Sequence, residues 1–277
     1  MIPVLAPTPP FIPDTKLVGI LGQLGLLTSL QWVVDFGDSD SISATDQQTL
    51  GTIPSGGIVF TRGPNSSVDA QRDGTFVGTL GKQSSGEYLS VNGTTVLPLG
   101  RVASPRATWS DNAHKNSALF TFAGWFYRDA AASGAWFFYT GGFSAGSPGI
   151  NIGATLDGDP DPNCPYLEVG NSSGGFAASL VADTLTVPKG SAMFVALSAD
   201  EASGSFVFQI NGSQQTVSAT YSSPSSSAAA LTEANVSAGN NENTNTGRVY
   251  NAAWWSRALS ASELLGLYNA DKSKFGL

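Results

Sequence analysis

Acidic residues near the middle of the chain have the spacing of a metal loop. Asp157, Asp159, Asp161 and Asn163 recur every second residue, and Glu168 falls where the closing glutamate of a calcium loop would stand. Pro162, however, occupies the position at which such a loop needs glycine for its sharp turn, and Pro160 and Pro165 stiffen the segment further. Glu168 also belongs to the strand-like run YLEV, where it would alternate outward. The better reading is an acidic, proline-rich surface loop. Asp157, Asp159 and Asp161 remain the candidate ligands for calcium, and no other cofactor is implied.

Catalytic groups are sparse. Hydrolysis of a glycosidic bond needs two carboxylates about 5 to 10 Å apart on one face. The six glutamates, Glu87, Glu168, Glu201, Glu233, Glu242 and Glu263, are scattered along the chain. His114 is the only histidine, so a Ser-His-Asp arrangement would rest on it alone, and its polar surroundings from Asn112 to Asn116 read as a solvated loop. Cys164 is the sole cysteine, which excludes an intrachain disulfide and reads as a buried, idle thiol. The chain is expected not to be an enzyme.

The elements that must position these residues are strands. The 277 residues are 41% hydrophobic, enough for a substantial core, but only 12% charged. Ser, Gly, Thr and Asn abound instead, a mix that disfavours helices and favours strands joined by many turns. The net charge of −8 and the absence of basic clusters speak against a nucleic-acid partner.

No basic, uninterrupted apolar leader opens the chain, so no secretory signal is read there. Five Asn-x-Ser/Thr sequons, at Asn65, Asn92, Asn171, Asn211 and Asn235, read as chance in a Ser/Thr-rich chain. The apolar run from Leu17 to Val34 carries Gln23, Thr28, Ser29, Gln31 and three glycines, so membrane insertion is not expected.

Residues 1–13 hold five prolines and form an extended arm that cannot build a core of its own. In the next segment Leu17, Ile20, Leu21, Leu24 and Leu27 fit one helical face, whereas Gly19, Gly22 and Gly25 oppose a stable helix, so helix and linker strand both stay open. Residues 1–28 are read as an arm that docks the protein to a larger assembly or to sister copies, and residues 29–277 as one β-domain. Strands are expected at Leu30–Phe36, Gly57–Arg62, Ala118–Tyr127, Ala135–Thr140, Gly149–Gly153 and Tyr166–Gly170. Met193–Asp200 and Ser205–Gly212 form a hairpin, and Asn211-Gly212 then starts a tight turn with positive φ. In ALFTFAGWFY both faces are bulky, which places this strand in the middle of a sheet with Phe122 and Trp125 between the layers.

The last part of the chain is the most informative. Gly247–Asn269 reads GRVYNAAWWSRALSASELLGLYN: a strand of alternating small and aromatic residues, then Ser260 and Glu263 spaced as a capping box, then a short apolar helix face. A Gly-hydrophobic strand, an Arg-Ala-Leu-Ser turn, a Glu and a closing Leu-Tyr-Asn resemble the end of the laminin G-like, concanavalin A-like family. The strand ending in Ile210-Asn211-Gly212 is of the kind frequent there. The stretch from Asp73 to Tyr88, and the Gly37-Asp38 turn after the first strand, look like virion proteins of tailed bacteriophages. The resemblance covers about residues 30–270. It implies an all-β, two-sheet antiparallel jelly-roll sandwich with a short C-terminal helix.

The resemblance also implies functions. Such folds host both lectins and glycosidases, but the Glu-x-Asp-x-x-Glu strand of laminarinase-like members is absent. Laminin G-like domains often bind calcium at the sheet rim, which the resemblance does not place on particular residues here. Sugar binding would use exposed aromatics and amides, for which Trp109, Trp136, Tyr221, Asn240 and Asn241 are the candidates in or near loops. The expected role is that of a phage virion surface protein, a capsid decoration or head-spike protein with weak adhesion to cell-surface polysaccharide. Its partners would be other virion proteins and further copies of itself. A receptor-binding tail or fibre lectin is the first alternative, and a polysaccharide hydrolase or lyase the second.

Overall fold

Alternation with a period of two dominates the chain and gives it an all-β fold. The computed structural model describes residues 17–36, 52–53, 58–60, 69–71, 78–83, 86–91, 97–99, 112–140, 149–171, 173–225, 234–239 and 247–277. A short helix α1 (Leu17–Gln23) precedes strand β1 (Leu30–Asp35). Short strands follow: β2 (Thr52–Ile53), β3 (Ile58–Phe60), β4 (Asp69–Gln71), β5 (Gly78–Gln83), β6 (Gly86–Val91) and β7 (Leu97–Leu99). The second half holds β8 (Leu119–Tyr127), β9 (Ala135–Tyr139), β10 (Ile150–Ala154), β11 (Pro165–Gly170), β12 (Phe176–Val181) and β13 (Ala192–Asp200). It continues with β14 (Ser205–Ile210), β15 (Ser213–Ser218), β16 (Ala234–Gly239), β17 (Gly247–Trp255) and helix α2 (Ala261–Asp271).

Fifteen of the described strands make two antiparallel layers, and β3 and β4 pair in a separate two-stranded ribbon. The nine-stranded sheet runs β15-β14-β13-β8-β17-β6-β5-β2, with β1 also paired to β17. The six-stranded sheet runs β12-β11-β10-β9-β16-β7. Between them Phe120, Phe122 and Phe126 of β8 meet Phe137 and Phe138 of β9, Ile152, Leu167 and Trp254 in one apolar cluster. Phe122 packs on Phe138 at 5.2 Å between ring centres. This is the two-sheet sandwich with a short C-terminal helix that the sequence led us to expect.

A second apolar cluster covers the outer face of the larger sheet. Trp125, Phe194, Tyr250 and Trp255 lie there beneath Leu17, Leu21 and Leu26 on one side and Leu264 and Leu267 of α2 on the other. Trp125 stacks on Phe275 at 3.9 Å. It is buried as expected, but not between the sheets. Phe122 and Trp125 are three residues apart on a strand whose pairing with β13 is unbroken, so they point to opposite faces.

The segment left open between helix and strand is helical at Leu17–Gln23 and then turns through Gly25 at φ 70°. Its Leu17 amide donates to Asp35 Oδ2 at 2.9 Å, and Trp255 Nε1 donates to Leu26 O at 2.7 Å. Leu17, Ile20 and Leu21 are thus covered within this chain, Leu27 is partly covered, and Leu24 is exposed. The arm, residues 1–13, lies outside the described residues.

Two local expectations are met in detail. Asn211 (φ 47°) and Gly212 (φ 86°) turn the chain tightly from β14 into β15. Ser260 caps α2: its side chain accepts from the Glu263 amide, and the Glu263 carboxylate accepts from the Ser260 amide at 2.7 Å.

Candidate functional site

One face of the six-stranded sheet packs on the core, and the other carries aromatic and polar side chains. Its geometry is set by a bulge. On β9 the pairing with β10 shifts between Phe138↔Ile152 and Trp136↔Gly153, leaving one extra residue, Phe137. An extra residue in one strand re-aims the side chains around it. Phe137 and Phe138 therefore both enter the core, and Trp136 and Tyr139, three apart, share the outer face. Their rings meet edge to face at 5.2 Å.

Two cross-strand rows follow from this register. The first runs Asn235, Tyr139, Asn151, Glu168, Ser179, across β16, β9, β10, β11 and β12. The second runs Trp136, Gly153, Tyr166, Val181. A Cβ on Gly153 would lie 2.7 Å from two carbons of the Tyr166 ring, so the missing side chain is what lets that ring lie across β10.

Trp136, Asn151, Tyr166 and Glu168 line an open depression of about 480 Å³ on this face, and Asp159 and Asp161 wall it from the loop between β10 and β11. Asn151 donates from Nδ2 to the Tyr166 hydroxyl at 2.7 Å and stands directly across from Glu168 of β11. It is 5% exposed, and its Oδ1 has no hydrogen-bond partner in the protein. The same holds for Asn235 Oδ1, two strands away in the first row. Buried amide oxygens are seldom left unpaired. Half-burial, reinforced by the charge of Asp159, raises the Glu168 pKa above the usual carboxylate range. Burial also pushes the Tyr166 phenol well up, so it stays protonated and can donate.

The acidic loop is pinned from behind. Arg128, fully buried just after the end of β8, donates from Nη2 to Asn163 Oδ1 at 2.6 Å and to Val187 O at 2.9 Å. Asn163 donates to Asp157 Oδ1, and Lys189 Nζ holds both Asp157 oxygens at 2.5 and 2.7 Å. The Lys189 bonds, then Asn163, lower the Asp157 pKa. Asp159 Oδ2 accepts from the Leu156 amide at 2.7 Å, closing a turn of its own loop.

The three calcium candidates are thus divided. Asp157 turns to Lys189, whereas Asp159 and Asp161 face the depression. Among the described residues no group of three or more acidic, histidine or cysteine side chains is placed to hold a metal ion.

Of the residues singled out for sugar binding, Trp136 stands in the depression. Tyr221 lies in the core, 7% exposed, with its hydroxyl donating to Ala113 O at 3.1 Å and its ring against Phe206. Trp109, Asn240 and Asn241 lie outside the described residues. His114, read as solvated, is buried at 1% exposure, and Cys164 is buried with its thiol pKa raised by desolvation. Tyr139, Asn151, Tyr166 and Glu168 were not foreseen as a site. Their signal in the sequence is polar and aromatic residues at outward positions of β9, β10 and β11, within strands rather than loops.

Residues 101–265 match the sequence profile of the concanavalin A-like lectin/glucanases superfamily, in its laminin G form. Among curated proteins no sequence matches the chain. Solved structures share the fold at low identity. Domain 4 of AbnA, an extracellular GH43 arabinanase from Geobacillus stearothermophilus solved with arabinotriose, matches with a TM-score of 0.51 and 15% identity over 87% of this chain and 98% of that one. The Trypanosoma rangeli sialidase matches with 0.52 and 11% over 86% of this chain, which spans only 32% of the sialidase. The binding domain of Paraclostridial Mosquitocidal Protein 1 matches with 0.53 and 10% over 88% of this chain and 52% of that one. The profile spans more than half of the sequence and agrees with the two-layer topology, and the chain belongs to the concanavalin A-like lectin/glucanases superfamily.

Proposed function

We propose that this protein is a glycan-binding domain whose site is the outer face of the six-stranded sheet. The observation that carries the reading is the juxtaposition of Trp136 and Tyr166 with the amide of Asn151 and the carboxylate of Glu168 around one depression. Sugars present apolar ring faces and hydroxyls together, so a receptor needs flat aromatic surface beside fixed polar groups. Asn151 is held by Tyr166 and keeps an unspent acceptor. The relative in the arabinanase was solved with arabinotriose, which supports the same chemistry here.

Binding without turnover is the reading we favour. Cleavage requires one protonated and one ionised carboxyl group set across a bond. Glu168, with its raised pKa, suits the first role. Asp159, its charged neighbour, already spends Oδ2 on its own loop. A hydrolase is the second reading, and it rests on the Glu168–Asp159 pair. It predicts new reducing ends from a bound polysaccharide, lost in Glu168→Gln.

The finer placement, on a tailed-phage virion surface, rests on the sequence resemblance of Asp73–Tyr88. Within it, a receptor-binding lectin accounts for the sheet face better than a capsid decoration protein, which needs no such depression. Many copies on one particle would make even millimolar binding effective, because later contacts become intramolecular. The test is a glycan array followed by calorimetry. Trp136→Ala should abolish binding of any retained glycan while the thermal unfolding temperature stays near that of the parent. Undiminished binding by that variant would overturn the assignment of the face.

A further inference from the structure

The charge of the depression is lopsided. Three carboxylates, Glu168, Asp159 and Asp161, line it, and no lysine, arginine or histidine does so among the described residues. The two nearest cations in the loop network are committed elsewhere: Lys189 grips Asp157, and Arg128 is buried against Asn163 and Val187. Asp157 pairs with Lys189 on the far side of the loop, and neither cation makes an ion pair with Glu168, Asp159 or Asp161 among the described residues. Glu168 is half-buried between Asn151 and Asp159, where desolvation and a like charge both make its ionised form costly. A cation bound beside it would relieve both effects, and an anion would add to them.

We propose that the site selects glycans bearing a protonated amine, that is, 2-amino-2-deoxy sugars with a free amino group, and that Glu168 is the residue that reads the amine. This rests on the glycan-binding reading of the same face and adds the chemical class of the sugar to it. Stacking of the sugar ring on Trp136 and Tyr166 supplies affinity for any glycan. The carboxylates then separate the classes, attracting an ammonium, gaining little from an acetamide and repelling a uronate or sialate. An ammonium makes charge-assisted hydrogen bonds to a carboxylate that an acetamide does not match, so the preference for free amine over acetamide should be roughly tenfold or more.

The experiment compares three probes of equal length by calorimetry: a glucosamine oligosaccharide, its fully N-acetylated form and an oligogalacturonate, with a glycan array alongside. The expected result is that the free amine binds at least about tenfold more tightly than the acetylated form. The ratio should shrink as salt rises, because part of the depression is open to solvent. The uronate should not bind. In Glu168→Gln the ratio of the two affinities should fall to near one, and the ratio is the readout, so a general loss of affinity does not imitate it. The wild-type comparison decides the matter even if that variant folds poorly. Equal or tighter binding of the acetylated form, or binding of the uronate, would overturn the amine preference and leave the glycan site standing. No binding of any probe, together with an empty array, would end both.

Discussion

At the scale of single residues, the site depends on which way a side chain points, and that depends on one inserted residue. Without the bulge at Phe137, Trp136 and Tyr139 would lie on opposite faces, as Phe122 and Trp125 do on unbroken β8. Gly153 is the second such point. Its missing Cβ makes room for the Tyr166 ring and for the carbonyl of Ala135, which an added methyl would meet. Gly153→Ala should therefore displace Tyr166, weaken glycan binding and lower stability by about 1 to 3 kcal/mol, read by calorimetry and by chemical denaturation. Trp125→Ala is expected to cost about 3 to 5 kcal/mol, now through the loss of its stack with Phe275 and Tyr268 on the outer sheet face. A loss below about 1 kcal/mol in the same denaturation assay would contradict its burial.

At the scale of elements, capping chemistry was legible and bulges were not. Ser260 and Glu263 announced α2, and Asn211-Gly212 announced the turn after β14, because each is a local pattern with its own physical cause. The strands with apolar faces were equally plain. β12, β15 and β16 were not, since FAASLV, SQQTVS and ANVSAG carry little hydrophobic contrast. The bulge on β9 has no local sequence marker in AWFFYT, so the site it creates could not be read from period alone. Tyr221 misled for a related reason. An aromatic in a loop reads as exposed, yet this one is drawn inward, with its amide held by the buried carboxylate of Glu201.

The cap also makes a pH-dependent contribution. Arg257, followed by the Ser260 amide and hydroxyl, lowers the Glu263 pKa from 4.5 to about 2. The depressed value means that the bridge stabilises fully above pH 4.5 and loses its contribution as pH falls toward 2. Glu263→Gln should therefore flatten the stability profile over that acid range, as measured by thermal unfolding. Ser260→Ala should cost about 1 kcal/mol at neutral pH.

At the scale of the whole molecule, the two layers divide the work. Around β1, β8, β13 and β17 the nine-stranded sheet is covered on both faces, by the core and by the terminal segments, whereas the six-stranded sheet has an open depression on its outer face. The family resemblance of the C-terminal strand and helix implied the sandwich and its closing helix, which packs over Trp255 on the outer face of the larger sheet. The role of residues 17–28 was harder to foresee: Leu17, Ile20, Leu21 and Leu26 are buried within the chain, and Leu24 alone of the expected face is exposed. Deleting residues 1–28 would uncover Trp255 and remove the buried Leu17, Leu21 and Leu26, so the truncated domain should lose more than about 3 kcal/mol of stability. Chemical denaturation of the truncated chain checks this, and an unchanged midpoint would show that the segment is dispensable for the fold.

The central claim is that glycan meets the sheet face at Trp136. The indole N–H resonances of a 15N-labelled sample test it directly, with Trp136 identified through Trp136→Phe. Trp32, Trp125, Trp254 and Trp255 are fully buried and should stay in place during titration with a retained glycan, while Trp136 shifts to saturation with the calorimetric affinity. A titration that saturates with the Trp136 resonance unmoved would contradict the account.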